Sequence, residues 1–161
     1  MEAPICIRPA TLADAGIISR IIERSIRIGC ALDHRNDPRR VSGWISRQSA
    51  EDISAWLANP QLYLNIALLD DKPIGVGMAT ANGDITFCYV QPECFRRGAG
   101  RALMTDLEGW LRIRGAIHIQ LNSTRTGEPF YRHLGYRESA PALNDKGLQT
   151  QPMSKPLPES S

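Results

Sequence analysis

Between Leu62 and Val90 the chain carries three apolar runs in quick succession, "LYLNIALL", "PIGVGMATA" and "ITFCYV", parted only by "DDK" and "NGD". Short apolar runs closed by Asp, Asn and Gly predict strands joined by tight turns. Tight turns join only antiparallel neighbours. The third run leads into "QPECFRRGAGRALM", where Gly98 and Gly100 open a helix over 98–114. Leu103, Leu107, Trp110 and Leu111 share one face of that helix and Gly115 ends it. An antiparallel meander feeding a glycine-and-arginine turn excludes two common phosphate-binding designs. A P-loop needs Gly-Lys-Ser/Thr, which the turn lacks. A dinucleotide fingerprint needs a third glycine, where Leu103 stands, and a parallel βαβ unit to open.

The flanks supply the remaining elements. "ICIRPAT" reads as a short strand leading to a helix capped by Thr11 and Asp14, with Ile18, Ile21 and Ile22 at helical spacing. A second helix starts at "DPRRVSGWISRQ", where Asp37 caps and Pro38 takes the first helical position, with Val41, Trp44 and Ile45 as its apolar face. A third, "SAEDISAWLANP", has Ser49 and Asp52 at capping-box spacing, buries Ile53, Trp56 and Leu57, and stops at Pro60. Downstream, "AIHIQLN" alternates as a strand with Ile117, Ile119 and Leu121 on one face, and His118 reads as structural. "EPFYRHLG" is a short helix and "TQPMSKPL" a last strand. This order predicts a single α+β domain over 1–157, with one mixed, mostly antiparallel central sheet covered by helices on both faces. Residues 158–161 are expected to form a flexible tail.

A net charge of +2 on 161 residues argues against a nucleic-acid coat or a membrane surface, and "RRGAGR" has no wider basic stripe around it. No apolar run approaches the roughly 20 residues of a membrane span, and the N-terminus lacks a signal-peptide pattern. Cysteines at 6, 30, 88 and 94 form no CxxC and no His/Cys ladder, which fits reduced thiols in a cytoplasmic protein with no metal site.

The turn itself has the chemistry of an anion site. A helix N-terminus presents free N–H groups and the positive end of its dipole. Glycines at 98 and 100 let an anion approach the backbone, and Arg96, Arg97 and Arg101 add charged donors. The same glycines also suit an ordinary strand-to-helix turn with solvated arginines.

The run Val90, Pro92, Gly98, Gly100, continued by "GRALM", resembles the central motif of the GNAT superfamily of acetyl-CoA-dependent acyltransferases. Phe95 stands where that family carries Arg or Gln, with Arg96 and Arg97 directly after it. Downstream, "NSTRTGEPFYRHLGY" resembles a second family segment, with Tyr131 four residues before Gly135-Tyr136 and Thr124 where many relatives have an Asn that contacts the cofactor. The resemblance spans about Ile5 to Leu157.

It implies that acetyl-CoA is the co-substrate. Its pantetheine arm would insert where the strand ending at Val90 splays from its neighbour. Its pyrophosphate would sit on the N–H groups of Arg97, Gly98, Ala99, Gly100 and Arg101, with Arg96 close by. The Val90 N–H would polarise the thioester carbonyl, and Tyr131 would protonate the departing thiolate. For the base, "LDHRND" contributes His34, which titrates near neutrality, with Asp33 and Asp37 beside it to attract a cationic amine. Cys88, near the acetyl site, has no neighbouring base in sequence and reads as a packing residue. The implied activity is acetyl transfer to a primary amine of a small molecule or peptide, by direct attack in a ternary complex. A non-catalytic acyl-CoA sensor on the same fold is the alternative. No nucleic-acid or membrane partner is expected, and a homodimer is compatible with the reading.

Overall fold

The computed structural model describes residues 4–29, 49–91, 94, 98–145 and 148–157. The expected helix over 37–48, the segment with Asp33, His34 and Asp37, the residues Arg96 and Arg97, and the tail 158–161 lie outside them.

Strand β1 (Ile5–Pro9) leads through a 3-10 turn (Leu12–Asp14) into helix α1 (Ala15–Arg24). The entry is fixed locally. The Thr11 N–H donates to Asp14 Oδ2 at 2.7 Å, and the Arg8 guanidinium grips both Asp14 oxygens at 2.8 and 3.0 Å. The Arg8 hydrogen bond outweighs the cost of burial and holds the Asp14 carboxyl down at about 2. Helix α1 runs on into one π-helical turn, Ser25–Gly29. Helix α2 (Ala50–Leu57) opens on the expected reciprocal pair, with Asp52 N–H to Ser49 Oγ and Ser49 N–H to Asp52 Oδ2 both 3.2 Å.

The meander is β2 (Leu62–Leu69), β3 (Lys72–Thr80) and β4 (Ile85–Val90). Asp70 and Asp71 turn the first hairpin at φ 51° and 63°, the left-handed pair whose twist matches the flanking strands. After α3 (Ala99–Ile113) come β5 (His118–Thr124), α4 (Glu128–His133), β6 (Arg137–Glu138), β7 (Leu143–Asp145) and β8 (Leu148–Pro156).

The expected single sheet is divided in two. One sheet runs β1-β2-β3-β4, all antiparallel. The other centres on β8, which pairs antiparallel with β5, β6 and β7. Between β4 and β5 the described residues show one parallel bridge, Asp84 to Gln120, with the Gln120 N–H on the Gly83 carbonyl at 3.0 Å. Strands β6 and β7, two and three residues long, carry no alternation to betray them. Ile117 precedes β5 and is 66% exposed, so Ser123 rather than Ile117 joins Ile119 and Leu121 on the buried face. His118 opens that strand exposed, which removes it from the core. Trp56 and Leu57 are half-buried rather than buried.

Helices α1 and α2 cover one face of the first sheet, where Ile18, Ile21, Ile22, Ile26 and Ile53 meet Leu64, Ile66, Val76 and Met78. Helix α3 covers the other face and reaches the second sheet, packing Met104, Leu107 and Leu111 with Ile119, Leu121, Tyr136 and Met153. Its close seat depends on two glycines of β3. A Cβ on Gly77 would lie 2.8 Å from Leu107 Cδ1 and 2.7 Å from Asn65 Oδ1, and one on Gly75 would lie 3.0 Å from Leu103 Cδ1. The fully buried Asn65 donates to the Leu103 carbonyl and to Asp106 Oδ2 at 3.2 and 2.8 Å. Its own Oδ1 has no hydrogen-bond partner and faces the bare Cα of Gly77.

Gly77→Ala is therefore expected to destabilise the domain by about 1–3 kcal/mol through overpacking and displacement of Asn65. Gly16→Ala is the control, since nothing lies within 4 Å of a Cβ there. It should be neutral or stabilising by up to about 1 kcal/mol. Urea midpoints measure both, and equal midpoints for the two variants would remove the glycine seat from the account.

Candidate active site

The parting of β4 from β5 opens a cleft of about 620 Å³. Val90 from β4, Gly98 to Arg101 at the start of α3, Thr124 from β5 and Tyr131 from α4 all line it. Seven of the ten residues given a catalytic or cofactor-binding role in sequence are thus brought to one place. The other three, His34, Arg96 and Arg97, lie outside the described residues.

Ladder geometry turns Val90 toward the cleft. The Gln91 N–H donates to the Ile74 carbonyl at 2.8 Å, and Val90 sits opposite Gly75. Successive residues of a strand point their polar groups to opposite edges, so those of Val90 face away from β3. Accordingly the Val90 carbonyl is met from the open edge by Ser25, whose Oγ donates to it at 3.0 Å.

At the start of α3, Gly98 is the N-cap at φ 85° and ψ 1°. A Cβ there would meet nothing within 4 Å, so the left-handed backbone, not crowding, calls for glycine. The Ala102 N–H closes the first turn on the Gly98 carbonyl at 3.0 Å. The N–H groups of Ala99, Gly100 and Arg101 come ahead of that bond and are the ones a helix leaves for an outside acceptor. Gly100 has a second reason to be bare, because a Cβ would lie 3.1 Å from Phe130 Cζ. Anion approach and the turn are thus not the sole demands for glycine at 100: the packing of α4 on α3 also requires the missing side chain.

On the opposite wall, Thr124 builds the turn into α4. Its Oγ1 and its carbonyl each accept the Gly127 N–H at 3.1 Å. Tyr131 is held through its backbone. The Tyr136 N–H returns to the Tyr131 carbonyl and the Gly135 N–H to that of Arg132, both at 3.0 Å, with Gly135 at φ 99°. This is the Schellman pattern, and it accounts for the Tyr131 to Gly135-Tyr136 spacing as the geometry of a helix end. The Tyr131 ring lies edge-on to Phe130 and Tyr136, with centroids 5.1 and 5.9 Å away.

Beneath the cleft lies an apolar cluster with one polar group of contacts, at Glu108. Tyr136 is fully buried with its hydroxyl on Glu108 Oε2 at 2.8 Å, and desolvation, aided by Glu108, raises its pKa far above the ordinary phenol value. Cys88 lies in the wall with Sγ 3.8 Å from the Gly100 carbonyl, and desolvation pushes its thiol up to about 12. A thiol so held is protonated at neutral pH and no nucleophile, consistent with a packing role. Among the described residues no group of three or more His, Cys, Asp or Glu side chains is placed to hold a metal ion. Nor is any described helix long and apolar enough to cross a membrane.

Ser25 is a cleft residue that sequence reasoning missed. A serine after an isoleucine stripe carries no local signal, and its contact with Val90 spans 65 positions.

The sequence model of the acetyltransferase (GNAT) domain matches residues 33–157, more than half of the chain. The chain belongs to the GNAT acetyltransferase family. Solved GNAT structures share its fold closely. A GCN5-related N-acetyltransferase from Rhodopseudomonas palustris superposes with a TM-score of 0.86 at 23% identity, covering 98% of both chains. The PaiA N-acetyltransferase from Thermoplasma acidophilum, in complex with coenzyme A, gives 0.80 at 19% identity, over 96% of this chain and 99% of that one. The yncA protein of Salmonella typhimurium, with its cofactor acetyl-CoA, gives 0.67 at 17% identity, over 98% and 96%. No curated protein matches the sequence.

For this GNAT domain the state of Cys88 is directly testable. Under iodoacetamide at pH 8, exposed Cys6 should alkylate in the folded protein, whereas Cys88 should react at least on the order of a hundredfold more slowly until urea unfolds the chain. Peptide mass mapping reads both rates, and comparable labelling would contradict the desolvated thiol.

Proposed function

We propose that the domain moves an acetyl group from acetyl-CoA to a primary amine of a small molecule or peptide, by direct attack in a ternary complex. One observation carries this reading: the open-edge backbone of Val90, the N-terminus of α3 and Tyr131 face a single cleft. The cleft fits a phosphate-bearing thioester. The position over Gly98 is open, the N–H groups of Ala99, Gly100 and Arg101 are available there, and the walls deeper in are largely apolar. Arg96, Arg97 and Arg101 add positive charge in sequence around the same helix start and would draw in the phosphates. Thr124 lines the wall opposite.

Bound acetyl-CoA supplies an activated acyl group. The Val90 N–H donates to the acyl oxygen as negative charge gathers there, a backbone donor that needs no reorganisation. Tyr131 gives its phenolic proton to the sulfur as the C–S bond breaks and the C–N bond forms. His34 takes the proton from the attacking amine, directly or through water.

Gly98→Glu places bulk and negative charge over the helix start, so calorimetry should find CoA binding weakened at least about tenfold in a protein that still folds. Unchanged affinity would move the phosphate site elsewhere.

Tyr131→Phe keeps the ring and its edge contacts and removes only the hydroxyl. Turnover should fall by on the order of 10²–10⁴-fold, with CoA affinity nearly unchanged and the alkaline limb of the pH–rate profile lost. Wild-type turnover in that variant would make Tyr131 a packing residue. If CoA binds yet no amine in a broad panel is acetylated, the acyl-CoA sensor replaces the enzyme reading.

A further inference from the structure

Serines and threonines within helices commonly satisfy their hydroxyl on the carbonyl one turn back. Ser54 and Thr105 do so here, on Ala50 and Arg101, both at 2.9 Å. Ser25 does otherwise. It stands where α1 gives way to the π-helical turn, is 2% exposed, and sends its proton across the fold to the Val90 carbonyl at 3.0 Å. Single π turns recur at functional sites because they re-aim the side chains they carry. Ser25 also lines the cleft.

The peptide joining Val90 to Gln91 is thereby pinned at both ends. Its N–H is held by Ile74 at 2.8 Å and its carbonyl by Ser25 at 3.0 Å. With that plane fixed, the direction of the preceding N–H, that of Val90 itself, depends on the two backbone torsions of Val90 alone. On the opposite edge of β4 from its partner strand, no further ladder bond is needed to hold it.

We propose that Ser25 is a positioning residue for acyl transfer, clamping the free edge of β4 so that the Val90 N–H stays aimed at the acyl oxygen. The inference rests on the role given above to the Val90 N–H. Ser25 touches neither the thioester nor the amine in this account; it acts through Val90.

The test compares wild type, Ser25→Ala and Ser25→Thr, each checked for folding by CoA calorimetry. Free CoA lacks the acyl oxygen, so its affinity should stay within about twofold in all three, while kcat falls about tenfold in Ser25→Ala and recovers in Ser25→Thr. The infrared stretch of acetyl-CoA labelled with carbon-13 at the carbonyl reports the hydrogen bond itself. Bound to wild type it should lie below its solution frequency, and in Ser25→Ala it should move back toward that frequency. A merely structural serine would change stability or CoA affinity and leave the bound stretch where it was. Should Ser25→Ala not fold, Ser25→Cys, similar in shape with a weaker donor, takes its place. An unshifted stretch in the variant, with wild type binding and reacting normally, overturns the clamp alone. If wild type binds no CoA, the acetyltransfer reading falls and the clamp with it.

Discussion

Helix α3 is the element on which the two sheets depend for their mutual position. The backbone ladder joins β4 to β5 at one bridge among the described residues, so side chains must do the rest. Asp106 on α3 accepts from Tyr63 and Asn65 of β2 at 2.6 and 2.8 Å, which ties the helix to the first sheet. Half a turn on, Glu108 accepts from Tyr136 at 2.8 Å and from Lys155 of β8 at 3.0 Å, which ties it to the second. Magnitudes separate the roles of these contacts. Leu103, Met104, Leu107 and Leu111 are at most 1% exposed, each worth roughly 1.5–3 kcal/mol of burial. A polar tie nets about 1 kcal/mol. Apolar packing therefore holds the helix down, while the two carboxylates set its register, because a leucine stripe can slide and a pair of short, part-buried hydrogen bonds cannot. Removing either carboxylate would also strand buried donors, at greater cost than the bond itself was worth.

Because α3 spans the gap, its N-terminus and the cleft are positioned by one device. The glycines show how differently one residue type serves that end. Gly75 and Gly77 let the helix sit close to β3, Gly98 supplies a left-handed cap, and Gly100 and Gly127 give Phe130 and Tyr131 room to lie against α3 and the β5 turn. Gly135 closes α4 so that the backbone of Tyr131 is fixed from behind. The ring contacts of Tyr131 with Phe130 and Tyr136 add to that hold.

What could be read in advance was what is local in the chain. The meander announced itself through its short runs and the Asp70-Asp71 turn, α3 through Leu103, Leu107 and Leu111, and α2 through the Ser49 and Asp52 pair. The Tyr131 to Tyr136 spacing was legible as a motif, although its physical content, a helix-end hydrogen-bond pattern, emerged only with coordinates. Division of the sheet was not legible, since it rests on where Asp84 meets Gln120 across 36 positions of chain. Ile117 misled because alternation has no way of marking where a strand begins. Ser25 was invisible for the same reason as the seat on Gly75 and Gly77: each depends on a partner far away in sequence, and nothing near it departs from the ordinary.

The cleft joins these levels through its dielectric. Desolvation is the leading cause of the raised pKa at both Cys88, half-buried in the wall, and Tyr136, fully buried beneath it. In such surroundings a hydrogen bond gains strength, and a misdirected one costs correspondingly more. Three of the lining residues carry the proposed chemistry: Val90 through its backbone, Ser25 through its bond to the Val90 carbonyl and Tyr131 through its phenol. Each is restrained by something outside the cleft, Val90 by the β3 ladder, Ser25 by the π turn and Tyr131 by the Schellman turn. Restraint from outside fixes the direction of the Val90 N–H, and in apolar surroundings a single backbone donor counts for more than it would in water. The apolar packing under the site and the polar groups at its surface are in that sense one arrangement, with α3 holding both.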